Sequence, residues 1–177
     1  FCGILAPTSG SISVCGFNPL DEREKLSYHI GALFGQTSKL AYHLTPLDSY
    51  KLLGKLYDIP NDRLRRRLDT LFAAFEMSDI LHLPVRKLSL GQRMRAELVA
   101  SLIHTPKLLF LDEPTIGLDM VAKAQLRDVI NTLNEQEETT ILLTSHDIGD
   151  VEQICDREVI ITHGNGVFEG GFRNRIR

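Results

Sequence analysis

Two adjacent carboxylates, Asp112 and Glu113, follow a run of four apolar residues in the segment LLFLDEPT. Such a run forms a strand buried on both faces. The carboxyl end of a strand of this kind is where open α/β sheets bind ligands. A hard carboxylate there suits Mg²⁺, which takes oxygen ligands and keeps several waters. Glu113 points another way along the chain, so it is placed to orient or deprotonate an attacking water. Taken alone, the pair is equally well a buried strand meeting a solvated acidic turn. Upstream, the segment LSLGQ at 88–92 puts Ser89 and Gly91 before a long helical pattern. Backbone N–H groups at a helix start, with a serine hydroxyl beside them, make an anion site. Taken alone, this is an ordinary serine cap. The stretch 88–119 therefore carries parts for holding a phosphate chain and a magnesium ion. The glycine-rich cradle G-x-x-x-x-G-K-[ST] that should accompany them is absent: Gly54-Lys55 is followed by Leu56, inside a helical pattern.

Two weaker signals flank this stretch. Gln36 follows an apolar run and opens a loop, where a neutral amide can touch a metal ion or a water. His146 follows another apolar run and precedes Asp147; it is placed to hydrogen-bond a terminal phosphate. Either residue alone reads more simply as structural.

These residues need an α/β frame. With 177 residues, 43% apolar and 24% charged, one domain with a sizeable core is expected. A net charge of -3 leaves no electrostatic footprint for nucleic acid or for direct binding to an anionic membrane surface. Cys2, Cys15 and Cys155 are too few and too scattered for a disulfide framework or a zinc site, and read as buried or half-buried thiols. No apolar run approaches the ~18 residues that span a bilayer.

Strands are expected around Ile12 and Val14, at 29–34, at 107–111, and as a buried strand at 140–144. Helices are expected at 45–57 with Thr45 as cap and Pro46 in the first turn, from a cap at Asn61 or Asp62 onward, at 91–104, at 120–136 and at 148–155. The second of these repeats Leu64, Leu68, Leu71, Phe72 and Phe75 at helical spacing. Arg63, Arg65, Arg66 and Arg67 fill its polar positions and read as a solvated face. A hairpin closes the chain, with 159–162 and 167–169 joined by a turn at 164–166. Short strands alternating with helices imply a mostly parallel sheet.

The order Gln36, LSLGQ, LLFLDEPT, GLD at 117–119 and SHD at 145–147 strongly resembles the nucleotide-binding domain of ATP-binding cassette (ABC) ATPases, over nearly the whole chain. The resemblance implies an α/β, P-loop NTPase-like ABC ATPase core with a mostly parallel sheet, an inserted helical subdomain and a small antiparallel β element. Residues 1–36 and 105–177 would form the core, and 37–104 the helical subdomain with its signature helix. By resemblance Glu113 and His146 are catalytic, as general base and switch histidine. Gln36, Ser89, Gly91, Gln92 and Asp119 bind ATP, and Asp112 with Gln36 serves Mg²⁺. Gly91 would face the ATP of a partner domain, while Asp112 and Glu113 serve the domain's own. The implied partners are transmembrane permease subunits and a second nucleotide-binding domain, in a homo- or heterodimer, at the cytoplasmic face of the cell membrane. Tyr42, Tyr50 and Tyr57 lie where family members dock onto their membrane partners, and read equally as core.

Leu90 departs from the family's usual LSGGQ, leaving Ser89, Gly91 and Gln92 in place. The segments FGQTSKL, LSLGQRMRAEL and LDEPTIGLD look most like ATPase subunits of bacterial ABC-2-type exporters. The missing cradle is the larger departure. In the family it lies just before a segment resembling CGILAPTSG, so the chain reads as beginning one helix after its own phosphate loop. It would then lack the first strand and the aromatic residue that stacks on adenine, and be inactive alone. Two other readings compete: a soluble ABC ATPase without a transport role, and a non-catalytic ABC-type binding module. Intact Glu113 and His146 argue against the second.

Overall fold

The computed structural model describes residues 1–34, 38–136 and 139–171. Its elements run α1 (Arg23–Ser27), β1 (Ile30–Phe34), α2 (Pro46–Leu56), α3 (Asn61–Ala74), a short 3-10 turn (Val85–Lys87), α4 (Leu90–Leu102), β2 (Leu108–Asp112), α5 (Met120–Gln136), β3 (Thr140–Thr144), α6 (Ile148–Ile154), β4 (Arg157–Thr162) and β5 (Asn165–Gly171). The first three strands form a parallel sheet in the order β1-β2-β3, and β4 pairs antiparallel with β5.

The central strand β2 shows why the sheet forms here. Its side chains alternate between two apolar layers, as the period of a strand requires. Leu109 and Leu111 enter a large core with Leu33 of β1, with Leu98 and Leu102 of α4, and with Leu126 and Ile130 of α5. Leu108 and Phe110 point the other way, into a smaller cluster with Val14, Leu26 and Ile30. Pro106 and Pro114 bracket the strand and limit its pairing.

The helices follow their caps and apolar spacing. The Thr45 hydroxyl accepts from the Asp48 N–H at 3.2 Å, with Pro46 in the first turn of α2. Leu64, Leu68 and Leu71 bury one stripe of α3. The cap of α3 differs from expectation: Pro60 holds that position, and Asn61 and Asp62 fall in the first turn. Asp62 there pairs with Arg66 at 2.8 Å on an exposed face, while Arg67 reaches back to the Leu102 carbonyl at 3.1 Å. Helix α4 is buried along most of its length, including Ala96, Leu98, Val99 and Leu102. Of the three tyrosines, Tyr50 belongs to the core and donates to the Ala96 carbonyl at 3.0 Å. Tyr57 stacks on His104 at 4.1 Å, and Tyr42 stays exposed.

Three strand-level expectations need correction. No strand forms around Ile12 and Val14. Val14 and Phe17 instead close a tight bridge with mutual backbone bonds of 2.9 and 3.0 Å. Cys15 and Gly16 turn it with φ of 53° and 86°, and this places Cys15 in the open rather than in a core. Strand β3 is not buried: Ile141 and Leu143 pack on the core, while Thr140, Leu142 and Thr144 are exposed. Among the described residues β3 pairs only with β2, and its Thr140, Leu142 and Thr144 face is open to solvent. The hairpin turn lies one residue earlier than expected. Thr162 pairs with Asn165, and His163 and Gly164 turn the chain with φ of 49° and 78°. Two consecutive positive φ values define the type I′ turn that suits a twisted hairpin.

Helix α4 crosses β1 so closely that a Cβ on Gly31 would sit 2.6 Å from the Ser101 carbonyl oxygen and 2.8 Å from Leu109 Cδ1. The obstacle is backbone, so the helix has to move. Gly31→Ala is therefore expected to cost about 1–3 kcal/mol. A thermal melt should show a fall of roughly 2–4 °C for each kcal/mol; an unchanged melting temperature would contradict this packing.

Candidate functional site

Register delivers the first pair of groups. Asp112 ends β2 directly opposite Thr144 at the end of β3. The Thr144 hydroxyl donates to Asp112 Oδ1 at 2.6 Å. The chain then leaves the strand at once. Glu113 adopts φ of 50°, a left-handed conformation that costs a non-glycine residue about 1–3 kcal/mol unless its surroundings hold it. Part of that hold is visible: the Glu113 N–H donates to the Thr144 carbonyl at 3.1 Å and to its hydroxyl at 3.2 Å. The turn is closed further by Ile116 N–H to the Glu113 carbonyl at 3.2 Å and Leu118 N–H to the Thr115 carbonyl at 3.2 Å.

This turn swings the Glu113 side chain towards the loop after β3. There its Oε2 meets His146 Nδ1 at 2.8 Å. The carboxylate is the acceptor, so the imidazole carries its proton on Nδ1. The His146 side chain is 71% exposed, so its other nitrogen remains open to a ligand. The hydrogen bond to Glu113 and then its charge raise the His146 pKa above 6.5. Asp112, Glu113, Thr144 and His146 thus share one edge of the sheet.

Three of the motif residues begin helices. Ser89 and Gln92 form a reciprocal capping box on α4: Ser89 Oγ accepts from the Gln92 N–H at 3.2 Å, and Gln92 Oε1 accepts from the Ser89 N–H at 3.0 Å. The N–H groups of Leu90 and Gly91, in the first turn, have no carbonyl within the helix to donate to. Asp119 caps α5 by accepting from the Ala122 N–H at 2.8 Å. The two helix starts touch, because a Cβ on Gly91 would lie 2.9 Å from Ala122 Cβ. A glycine is therefore what allows LSLGQ and GLD to adjoin. Asp147 caps α6 through the Gly149 N–H at 3.0 Å and pairs with Lys123 of α5 at 2.9 Å. That pairing lowers the Asp147 pKa and raises that of Lys123. Gln36 lies outside the described residues.

Sequence reasoning missed two buried carboxylates. Glu97 of α4 accepts from the Lys39 N–H at 3.0 Å and from the Ser38 hydroxyl. Asp150 of α6 is fully buried and binds Thr115 and Arg127. The only available signal was an acidic residue at an otherwise buried helical position.

Magnesium fits this edge in a specific way. Among the described residues no group of three or more His, Cys, Asp or Glu side chains could hold a metal ion. Asp112 offers one exposed carboxylate. One carboxylate completed by waters and substrate phosphates is a usual Mg²⁺ arrangement, so the donor set suits an ion that arrives with a nucleotide.

The Glu113 contact favours the protonated imidazole. Its contribution to stability is therefore complete below the ordinary pKa of 6.5 and is lost as pH rises through the raised folded value. An NMR titration of the His146 ring should give a midpoint above 6.5, and Glu113→Gln should bring it down towards that value. A wild-type midpoint at or below 6.5 would show that the contact is not formed in solution.

Comparison with known proteins agrees with this geometry. A family model described as ABC transporter matches residues 1–116. The ABC transporter ATP-binding protein NatA of Bacillus subtilis is 30% identical over 171 residues, covering 97% of this chain and 69% of that protein. The daunorubicin resistance ATP-binding protein DrrA3 of Streptomyces coeruleorubidus is 36% identical over 167 residues, covering 94% of this chain and 52% of that protein. The chain thus spans between half and about two thirds of the length of these relatives. Among solved structures, CbiO1 of Clostridium perfringens, part of the ABC transporter complex CbiONQ, superposes with a TM-score of 0.84 at 27% identity, covering 97% of this chain and 69% of that one. With the parallel sheet, the carboxylates at its edge and the capped signature helix in place, this chain belongs to the ABC transporter family, within its ATP-binding domains.

Proposed function

We propose that this chain is part of an ATP-hydrolysing subunit that drives an ABC exporter. The carrying observation is the contact of Glu113 with His146 at 2.8 Å, beside Asp112 and Thr144 at the carboxyl edge of the sheet. Phosphoryl transfer needs mostly positioning and charge neutralisation, and these four residues supply the positioning. Asp112 would hold Mg²⁺, and the ion would neutralise phosphate charge when bound. Glu113 takes the proton from the attacking water as its oxygen bonds to the γ-phosphorus and ADP leaves. His146 keeps Glu113 oriented and presents its second nitrogen to the γ-phosphate. Gln36, which follows β1 in the sequence, senses the ligand.

Ser89, Gly91 and Gln92 close over a second nucleotide carried by a partner domain, and Asp119 lies beside them. The first-turn N–H groups of α4 support this role, because they point out of the helix start. Residues 37–104 form the helical subdomain between the two core segments 1–36 and 105–177. No described helix is long and apolar enough to cross a membrane, so a permease partner supplies the path and the subunit works at its cytoplasmic face. Export is supported by DrrA3 and by the Nod factor export ATP-binding protein I of Ralstonia nicotianae, 29% identical over 168 residues.

The sequence holds no G-x-x-x-x-G-K-[ST], the usual source of the main donors for the β- and γ-phosphates. The 177 residues alone are expected to release no measurable phosphate; steady turnover by them would overturn this reading. In the complete subunit, Glu113→Gln should leave ATP binding intact and lower turnover by about 10²–10⁴-fold, the usual contribution of a general base. Binding isotherms and phosphate release measure the two effects separately, and wild-type turnover in the variant would remove Glu113 from the mechanism.

A further inference from the structure

Asp150 is the least exposed charged group among the described residues, and it stands outside every motif considered so far. Both of its carboxylate oxygens are engaged. Oδ2 accepts from the Thr115 hydroxyl at 2.5 Å. Oδ1 accepts from Arg127 Nε at 2.8 Å and from a second nitrogen of the same guanidinium. Arg127 is itself fixed by a third bond, from its other terminal nitrogen to Gln153 Oε1 at 2.9 Å. A buried carboxylate is tolerated when it is paired and fully hydrogen-bonded, and here the network joins three separate elements. Thr115 lies in the turn after β2, Arg127 on α5, and Gln153 with Asp150 itself on α6.

The placement matters because of what each element carries. Thr115 stands two residues beyond Glu113, inside the turn that holds Glu113 at its positive φ. Asp150 is in the first turn of α6, and its N–H donates to the carbonyl of Asp147, the residue next to His146. One carboxylate therefore grips the segment bearing Glu113 on one side and the helix following His146 on the other. Glu113 and His146 meet between these two anchors, on an open edge where solvent competes for their contact.

We propose that Asp150 is a positioning residue for the hydrolytic pair: through Thr115 it locks the Glu113 turn to α6, with Arg127 bracing the carboxylate from α5, and so sets the approach of Glu113 to His146. The proposal rests on the reading of that pair as the site of hydrolysis. Its test does not depend on turnover.

The imidazole tautomer reports the contact directly. While Glu113 accepts from Nδ1, the neutral ring keeps its proton on Nδ1; when the contact is lost, the proton distribution relaxes. ¹⁵N NMR of the intact protein, at a pH where the ring is neutral, reads this distribution, with Glu113→Ala giving the uncoupled reference. Thr115→Val keeps the volume and removes the hydroxyl. It is expected to shift the His146 pattern more than halfway to the reference while a thermal melt stays cooperative. Asp150→Asn should do the same, and Thr115→Ser, which keeps the hydroxyl, should retain the wild-type pattern. A folded Thr115→Val or Asp150→Asn protein with the wild-type pattern overturns the proposal. So does failure of Thr115→Ser to retain it. In the unaltered protein, the Thr115 hydroxyl proton should be protected from exchange by the buried carboxylate; rapid exchange there also overturns it. If Glu113→Gln leaves turnover intact while Thr115→Val still frees the ring, the hydrolysis reading fails and the positioning role stands. If the ring is unmoved while Glu113→Gln stops turnover, only the positioning role fails.

Discussion

The register of β2 against β3 is the constraint on which the site depends. It sets Asp112 opposite Thr144 and makes their hydrogen bond of 2.6 Å available. A slip of one residue would exchange the two faces of the strand. Leu109 and Leu111 would then leave the large core and Leu108 and Phe110 would enter it. The apolar layers on either side of β2 thus specify where the carboxylates fall. The backbone of Glu113, bonded to both oxygens of Thr144, passes this register on to the turn after β2.

Polar groups divide into those that tie and those that stay open. Ser89, Asp119 and Asp147 each satisfy backbone donors at a helix start. Glu97 and Asp150 are buried and fix segments that flank the site. Asp112, Glu113 and His146 have weaker constraints and more solvent around them. Capping does not remove Ser89 from ligand chemistry. It aims the first-turn N–H groups of α4 outward, and Gly91 lets that helix start lie against Ala122. The same residues cap the helix and leave its first-turn donors open, because a helix start leaves N–H groups unpaired.

Much of this was legible in the sequence, for local reasons. The strand LLFLD is an apolar run between prolines. The caps at Thr45 and Ser89 precede helical periodicity, and the hydrophobic stripe of α3 repeats at the right spacing. What was not legible depended on neighbours distant in sequence. Alternation at Ile12 and Val14 looks like a strand, but Cys15 and Gly16 turn the chain before one can extend. The residues of β3 look buried, and the sheet pairs them on one side only among the described residues. At the hairpin, glycine content marked the turn, but the pairing of Thr162 with Asn165 decided its position. Asp150 was invisible as a tie because Thr115 and Arg127 lie 35 and 23 residues away from it.

That last case bears on how an exposed pair of side chains keeps its geometry. His146 and Glu113 meet at the surface, where solvent screening leaves an ion pair little strength. The pair alone does not hold a strained turn in place. Asp150 is shielded from water, and each of its bonds is correspondingly harder to exchange for a solvent contact. Rigidity is therefore generated beneath the site and delivered to it through Thr115 and the first turn of α6. The side chains of Glu113 and His146 stay open to solvent while the backbone around them is tied by hydrogen bonds. This separation lets the open end of a sheet present preorganised polar groups without burying them.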